Sequence, residues 1–199
     1  MRAMRNRLIL LLPVLLAGCA SGVTMTPSEP PTVRAGDSTV VFMRPSHLGR
    51  ALVSSVYDVS GPQTRFVGIL NFGDKLAMPL KPGEYTFMVI GESADFMQAT
   101  VDAGKTYYAV ITPRYGVVTA RFSFRPVRST QIDGSEFAAW TAATRYVVNS
   151  PQAEAWARDN AKDANSKRNE YWPQWNGKPA NERLQQTLKA EDGVSAAPR

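Results

Sequence analysis

The chain has 199 residues, 44% of them hydrophobic, so it can bury a core of ordinary size and is not disordered as a whole. Its formal charge is +6, and Arg2, Arg5 and Arg7 account for half of that excess at the amino terminus. The other basic residues are spread among similar numbers of acidic ones, without the dense positive charge of a nucleic-acid-binding surface. We therefore expect no nucleic-acid partner.

The amino-terminal segment is typical of an export signal. Its three arginines precede the apolar run 8–16, and the small residues Ala17 and Gly18 follow. As a helix, these nine residues would span about 14 Å, roughly half the hydrocarbon thickness of a bilayer. We interpret residues 1–18 as a signal peptide that is removed, and not as a transmembrane helix.

Cys19 is the only cysteine, so the chain cannot form an internal disulfide. The run Leu16-Ala17-Gly18-Cys19 resembles the lipobox of bacterial lipoproteins. That resemblance implies cleavage between Gly18 and Cys19, a diacylglyceryl group on the thiol, and an acyl chain such as palmitate on the new amino group. Two or three acyl chains, at about 0.8 kcal/mol per buried CH₂, anchor a protein stably. The alternative is an ordinary signal peptide that ends at a cysteine by chance.

The residue after Cys19 bears on the location of the protein. In lipoproteins of enteric-type bacteria an Asp at this position implies retention in the inner membrane, and here the position holds Ala20. The resemblance therefore implies a cell-envelope protein, with the periplasmic face of the outer membrane preferred over the inner membrane. Residues 19–36 are rich in Pro, Ser, Thr and Gly, which predicts a lipidated amino terminus followed by a flexible linker.

Residues 37–128 are predicted to form a mainly β domain, because short β-type runs alternate with turn residues at regular spacing. In the last run Val118, Ala120, Phe122 and Phe124 share one face, as expected for a core-facing side of a strand. No helical run interrupts the region, which predicts a single antiparallel β-sandwich of immunoglobulin-like or transthyretin-like architecture. About eight strands are predicted, at 39–44, 52–58, 65–70, 76–80, 85–90, 96–101, 106–112 and 117–127.

Two turn motifs carry a second resemblance. Leu80-Lys81-Pro82-Gly83-Glu84-Tyr85 and Val101-Asp102-Ala103-Gly104-Lys105-Thr106 are similar to the turns of small prealbumin-like and PEGA-like sandwich domains. Such domains follow a lipobox in several families of bacterial lipoproteins. The motifs consist of turn residues, so the resemblance implies a fold and no catalytic residue.

Residues 129–199 are predicted to form a helical tail with a disordered carboxyl terminus. A short helix at 135–144 would pack Phe137 and Trp140 on the sandwich. Ser150-Pro151 is a typical helix start, and the helix that begins there is expected to end before Pro173. A further amphipathic segment follows at 181–188, and residues 190–199 have a composition typical of disorder.

The reactive residues form no recognised catalytic or metal-binding pattern. His47 is the only histidine, and no cysteine or second histidine accompanies it in a metal-ligand or nucleophile motif. The acidic residues of the β region fall at strand ends and turns, where such residues are common: Asp58, Asp74, Glu84, Glu92, Asp95 and Asp102. We expect a protein that is not an enzyme and that binds neither a metal nor a cofactor apart from the covalent lipid on Cys19.

Tyr171, Trp172 and Trp175 form the candidate binding cluster of the tail. They either clamp the tail onto the β domain or provide an exposed platform for a sugar or a partner protein. We therefore expect a membrane-anchored scaffold or accessory subunit with an envelope protein partner. The alternative is a module that binds glycan, such as peptidoglycan. Burial of the tryptophan rings distinguishes the clamp from the platform.

Overall fold

The computed structural model describes residues 23–32, 34–115 and 120–195. The predicted signal peptide and Cys19 lie outside these residues. No helix in the described part of the chain is long and apolar enough to cross a membrane. The described strands are β1 (Thr26–Pro27), β2 (Ser38–Met43), β3 (Ser54–Asp58), β4 (Arg65–Leu70), β5 (Asp74–Leu80), β6 (Gly83–Ile90), β7 (Ala94–Val101), β8 (Lys105–Tyr115), β9 (Ala120–Pro126), β10 (Arg145–Val148), β11 (Thr187–Leu188) and β12 (Val194–Ser195).

These strands form two sheets. The first has the order β1-β10-β5-β2-β8, with β9 and β12 both pairing with the far side of β8, and the second has the order β11-β7-β6-β3-β4. The eight strands predicted between residues 39 and 127 correspond one to one to β2–β9. The mainly β prediction is therefore confirmed at the level of the individual strands.

The predicted single antiparallel sandwich is wrong, because both sheets are mixed. Strands β2 and β8 are parallel neighbours, as are β5 and β10 and also β7 and β11. Between β2 and β8 the chain forms most of the second sheet. It then re-enters the first sheet with β8, which runs in the same direction as β2. Strands β10 and β11 come from the region predicted as a helical tail, so that prediction also misses part of both sheets.

The principal core lies between the two sheets. Phe42 of the first sheet and Phe87 of the second meet edge to face, with ring centroids 5.1 Å apart. Phe122 and Phe124 are buried in this core, which confirms their predicted inward face. Val118 lies outside the described residues.

Helices cover the outer faces of both sheets. Helix α1 (Ser135–Ala142) packs Phe137 on Tyr108 of the first sheet, with ring centroids 4.9 Å apart, as predicted for the aromatic side of this helix. Helix α2 (Pro151–Asp159) begins at the predicted cap, where the Ser150 hydroxyl accepts a hydrogen bond from the Ala153 N–H at 3.0 Å. Helices α3 (Ala161–Asn176) and α4 (Ala180–Gln185) follow.

Helix α3 does not end before Pro173, contrary to the sequence-based expectation. A proline inside a helix removes a backbone hydrogen bond and disfavours the helix by about 3 kcal/mol. The helix continues to Asn176 because Trp172 and Trp175, on either side of the proline, both pack on Phe96 of the second sheet. Tertiary packing therefore outweighs the local preference.

The carboxyl-terminal region up to residue 195 is part of the fold and not disordered. Strand β12 pairs with the first sheet, and Leu188 of β11 is fully buried in the core. The Asp192 carboxylate accepts a hydrogen bond from Arg128 at 2.7 Å, and the Tyr107 hydroxyl contacts the Ala190 carbonyl at 3.2 Å. These contacts join residues that are far apart in the sequence, so composition alone does not reveal them.

The segment assigned to the linker also contributes to the fold. Strand β1 pairs antiparallel with β10, and the Ser28 N–H continues that ladder by donating to the Tyr146 carbonyl. Met25 is only 5% exposed and belongs to the principal core. The folded unit therefore begins well before residue 37.

The charged side chain of Arg44 is completely buried among the loops that follow β2 and β4. Arg44 follows β2, and its guanidinium donates to the carbonyl oxygens of Gly49 (2.6 Å), Leu52 (2.8 Å) and Leu70 (2.7 Å). The guanidinium carbon also lies 4.4 Å from the centroid of the Phe122 ring. Burial lowers the pKa of Arg44 to about 10, which is still far above neutral pH. Arg44 therefore ties the 45–53 loop to the two sheets as a cation.

Candidate functional site

A basic cleft lies between the β8–β9 hairpin and the α3–α4 segment. It has two lobes, with volumes of about 590 Å³ and about 350 Å³, and Arg114 and Lys178 line both. Its lining contains five basic side chains and only two acidic ones, Asp95 and Glu182. The basic residues are Arg114, Arg121, Arg125, Arg128 and Lys178.

The hairpin register brings two of these cations together. Arg114 of β8 lies directly opposite Arg121 of β9. Like charges in this arrangement disfavour strand pairing, so the pair raises the positive potential of the smaller lobe instead of stabilising the hairpin. Within the described part of the chain, the exposed Arg114 guanidinium has no hydrogen-bond or salt-bridge partner.

The floor of the cleft is a buried polar network. The Lys178 ammonium lies 3.4 Å from the Asp95 carboxylate and donates to the Gln186 side-chain carbonyl at 2.9 Å. The Gln186 amide in turn donates to Asp95, and the Trp175 indole N–H donates to Gln186 at 3.0 Å. The negative charge of Asp95 is therefore already matched inside the protein and does not repel an anion in the cleft.

Two cations of the larger lobe are held by neighbouring carboxylates. Arg125 forms a bidentate pair with Glu136 of α1 at 3.0 and 2.9 Å. Arg128 is paired with Asp192 and also donates to the Thr187 carbonyl at 2.7 Å. These two side chains shape the cleft, whereas Arg114 is the cation best suited to receive an external anion.

The structure brings together the predicted aromatic cluster. Trp175 is only 2% exposed, and its ring stacks on that of Trp172 with centroids 5.4 Å apart. Trp172 and Tyr171 are half-buried, and Tyr171 lines the smaller lobe of the basic cleft. Trp175 thus clamps α3 to the second sheet and presents no ring face to solvent, so only Tyr171 and Trp172 remain accessible to a ligand.

The other residues weighed in the sequence are in ordinary structural contacts. His47 stacks on Phe72, with ring centroids 3.9 Å apart. Asp58 and Asp102 form ion pairs with nearby basic residues, and burial raises the pKa of Asp74 above its ordinary value. In the described ranges, no group of three or more His, Cys, Asp or Glu residues is placed to hold a metal ion.

Sequence reasoning identified the aromatic cluster but missed the basic cleft. Arg121 and Arg125 alternate with Phe122 and Phe124, and that pattern predicts only that the arginines face away from the core. The juxtaposition with Arg114 depends on the hairpin register, and that with Lys178 depends on how α3 packs.

Gly18 and Cys19, the predicted cleavage and lipidation site, lie outside the described residues. Comparison with known protein families and with curated proteins finds no match to this chain.

Proposed function

We propose that this chain is a lipid-anchored protein of the bacterial cell envelope that acts as a non-catalytic accessory or scaffold subunit. The observation that carries the proposal is the run Leu16-Ala17-Gly18-Cys19 at the end of a signal-like segment, where Cys19 is the only thiol of the chain. The pairing of residues 26–28 with β10 supports it, because a folded domain then begins within ten residues of the lipidated residue.

Lipid attachment is tested by growing a bacterial host that expresses the protein with a labelled fatty acid. Wild-type protein is expected to carry the label and to sediment with membranes, whereas Cys19→Ser is expected to carry none, because a hydroxyl does not replace the thiolate as the nucleophile that takes up the diacylglyceryl group. Ser21→Ala is the matched control, since it changes the same segment and keeps the thiol. Equal labelling of wild type and Cys19→Ser would contradict the proposal.

The basic cleft is the surface that we assign to the partner in this role. Its lining has a clear excess of positive charge, and the Arg114 guanidinium has all its donors available within the described part of the structure. An acidic segment of another envelope protein matches this charge.

A glycan-binding module is the second candidate, and one observation favours it. The half-buried Tyr171 lies in the same lobe as Arg114 and Arg121, so the lobe offers a ring for a sugar and cations for a carboxylate. Peptidoglycan carries both sugar rings and carboxylates. A glycan site built on the face of the Trp175 ring is incompatible with the burial of that ring.

The two candidates are separated by sedimentation with purified peptidoglycan, using the unacylated Cys19→Ser protein. If the cleft binds glycan, Arg114→Ala/Arg121→Ala is expected to weaken binding about tenfold, because losing charge-assisted hydrogen bonds worth roughly 1.5 kcal/mol changes Kd by that factor. Arg65→Ala/Lys81→Ala, at the opposite end of the strands, is the matched charge control. Absence of wild-type sedimentation, or equal loss in both double variants, would dismiss the glycan candidate in favour of a protein partner.

A further inference from the structure

The folded domain holds its own amino terminus firmly, starting at residue 23. The Thr24 N–H donates to the Gln152 side chain at 3.1 Å, and the Thr24 carbonyl accepts from the Ser150 hydroxyl. The Val23 carbonyl accepts from the Asn71 amide at 3.1 Å, and the Met25 side chain is buried in the core. The position at which the chain leaves the domain toward Cys19 is therefore defined by the fold.

Covalent geometry limits the distance from there to the lipid. Four peptide steps separate Cys19 from Val23, and even a fully extended chain spans only about 14 Å over that length. A lipidated Cys19 sits at the bilayer surface, so Val23 and its neighbours must lie within that distance of the headgroups. The 18-residue linker predicted from composition would have allowed the domain to stand clear of the membrane.

The surface around this attachment point suits contact with lipid. Phe72, which follows Asn71 in the sequence, stacks on His47. Leu48, which follows His47, is 47% exposed. Arg50 is exposed in the same loop. We call Val23, Asn71, Phe72, His47 and Leu48 the attachment surface. An exposed leucine with a nearby arginine matches the boundary between acyl chains and anionic headgroups.

The larger lobe of the basic cleft lies at the far edge of the first sheet and extends to Arg128 beyond the end of β9, whereas the smaller lobe, lined by Phe122, lies close to the 45–53 loop. In the first sheet β1 is at one edge and β9 at the other, so five inter-strand spacings, or about 24 Å, separate them. In the second sheet β4 and β11 occupy the corresponding edges. Leu184 of α4, which is 54% exposed, lies on the cleft side, where its carbonyl accepts from Arg128 at 3.2 Å.

We infer that the short connection holds the attachment surface against the phospholipid bilayer and directs the larger lobe of the basic cleft, with Leu184 beside it, away from the bilayer toward the aqueous compartment. This inference rests on the proposed lipidation of Cys19. It assigns the membrane-facing side to the β1 edge and the loops at 46–50 and 71–72. A partner of the larger lobe then approaches from the far edge of the first sheet.

The orientation is tested with acylated protein in vesicles of phosphatidylethanolamine and phosphatidylglycerol. Because the thiol of Cys19 is consumed by the lipid, an introduced cysteine is the only thiol that a fluorophore can label. Leu48→Cys and Leu184→Cys form a matched pair of exposed leucines, one on each side. A headgroup nitroxide lipid is expected to cause a strong loss of fluorescence at position 48 and none at position 184. Equal quenching at both positions would overturn the inference.

A second variant tests whether the length of the connection sets the orientation. Inserting about 15 Gly and Ser residues between Gly22 and Val23 adds an r.m.s. span of about 20 Å, enough to release the domain. Quenching at position 48 is expected to fall to the level at position 184, and undiminished quenching would contradict the inference. Sedimentation of the protein with the vesicles reports on the anchor separately, so loss of sedimentation counts against the lipidation of Cys19 and not against the orientation.

Discussion

Arg44→Met is expected to lower the free energy of unfolding by about 2 kcal/mol, because it removes the charge-assisted hydrogen bonds that hold the 45–53 loop and leaves the Leu52 carbonyl oxygen without its donor, a loss of about 1–3 kcal/mol. The Leu52 carbonyl loses the guanidinium, whereas the Gly49 carbonyl keeps the Leu52 N–H at 2.9 Å and the Leu70 carbonyl keeps the Ser54 hydroxyl at 2.7 Å. Methionine fills much of the space and donates no hydrogen bond. Urea denaturation of the unacylated Cys19→Ser protein, followed by circular dichroism, measures the difference.

Arg50→Met is the control for this prediction, since Arg50 lies exposed in the loop that Arg44 holds. Its effect is expected to stay within about 0.5 kcal/mol, as for most surface substitutions. The pKa of Arg44 is lowered to about 10, so folded and unfolded states differ in proton binding at this group only above about pH 9. The loss in Arg44→Met should therefore be the same at pH 6 and pH 8. A loss below about 1 kcal/mol would show that water or another side chain satisfies the loop.

Trp175→Ala is expected to cost about 3–5 kcal/mol, the usual range for truncating a fully buried aromatic side chain. The ring lies between Phe96 of the second sheet and Trp172, and its N–H is bonded to Gln186. Removing it opens a cavity beneath α3 and leaves the Gln186 carbonyl with Lys178 as its remaining donor. The same denaturation experiment measures this loss.

Two further variants identify which contacts of Trp175 matter. Trp175→Phe keeps the packed ring and loses the indole hydrogen bond, so about 1–2 kcal/mol is expected. Trp172→Ala should cost less than Trp175→Ala, because Trp172 is already partly exposed in the native protein. If Trp175→Ala were as stable as wild type, the clamp assignment would be wrong and the tryptophan would have to face solvent.

Local sequence determined the individual β-strands and some of the helix boundaries. Short β-type runs bounded by turn residues such as Gly104, which adopts a φ of 73°, identified β2–β9 one by one, and alternation with a period of two supported the last of them. The Ser150 cap was equally predictable, because it depends on a hydroxyl and a backbone N–H three residues apart. Each of these features involves contacts within a few residues.

Only the tertiary structure decided how the strands are assembled. The parallel pairs β2–β8, β5–β10 and β7–β11 join segments far apart in the chain, and the two-residue β11 has no recognisable period. The docking of Met25 and the facing pair Arg114–Arg121 depend on the same long-range register. Such pairings are selected because they bury whole sheet faces. The free energy of that burial depends on residues far apart in the chain, so a short segment of sequence does not reveal it.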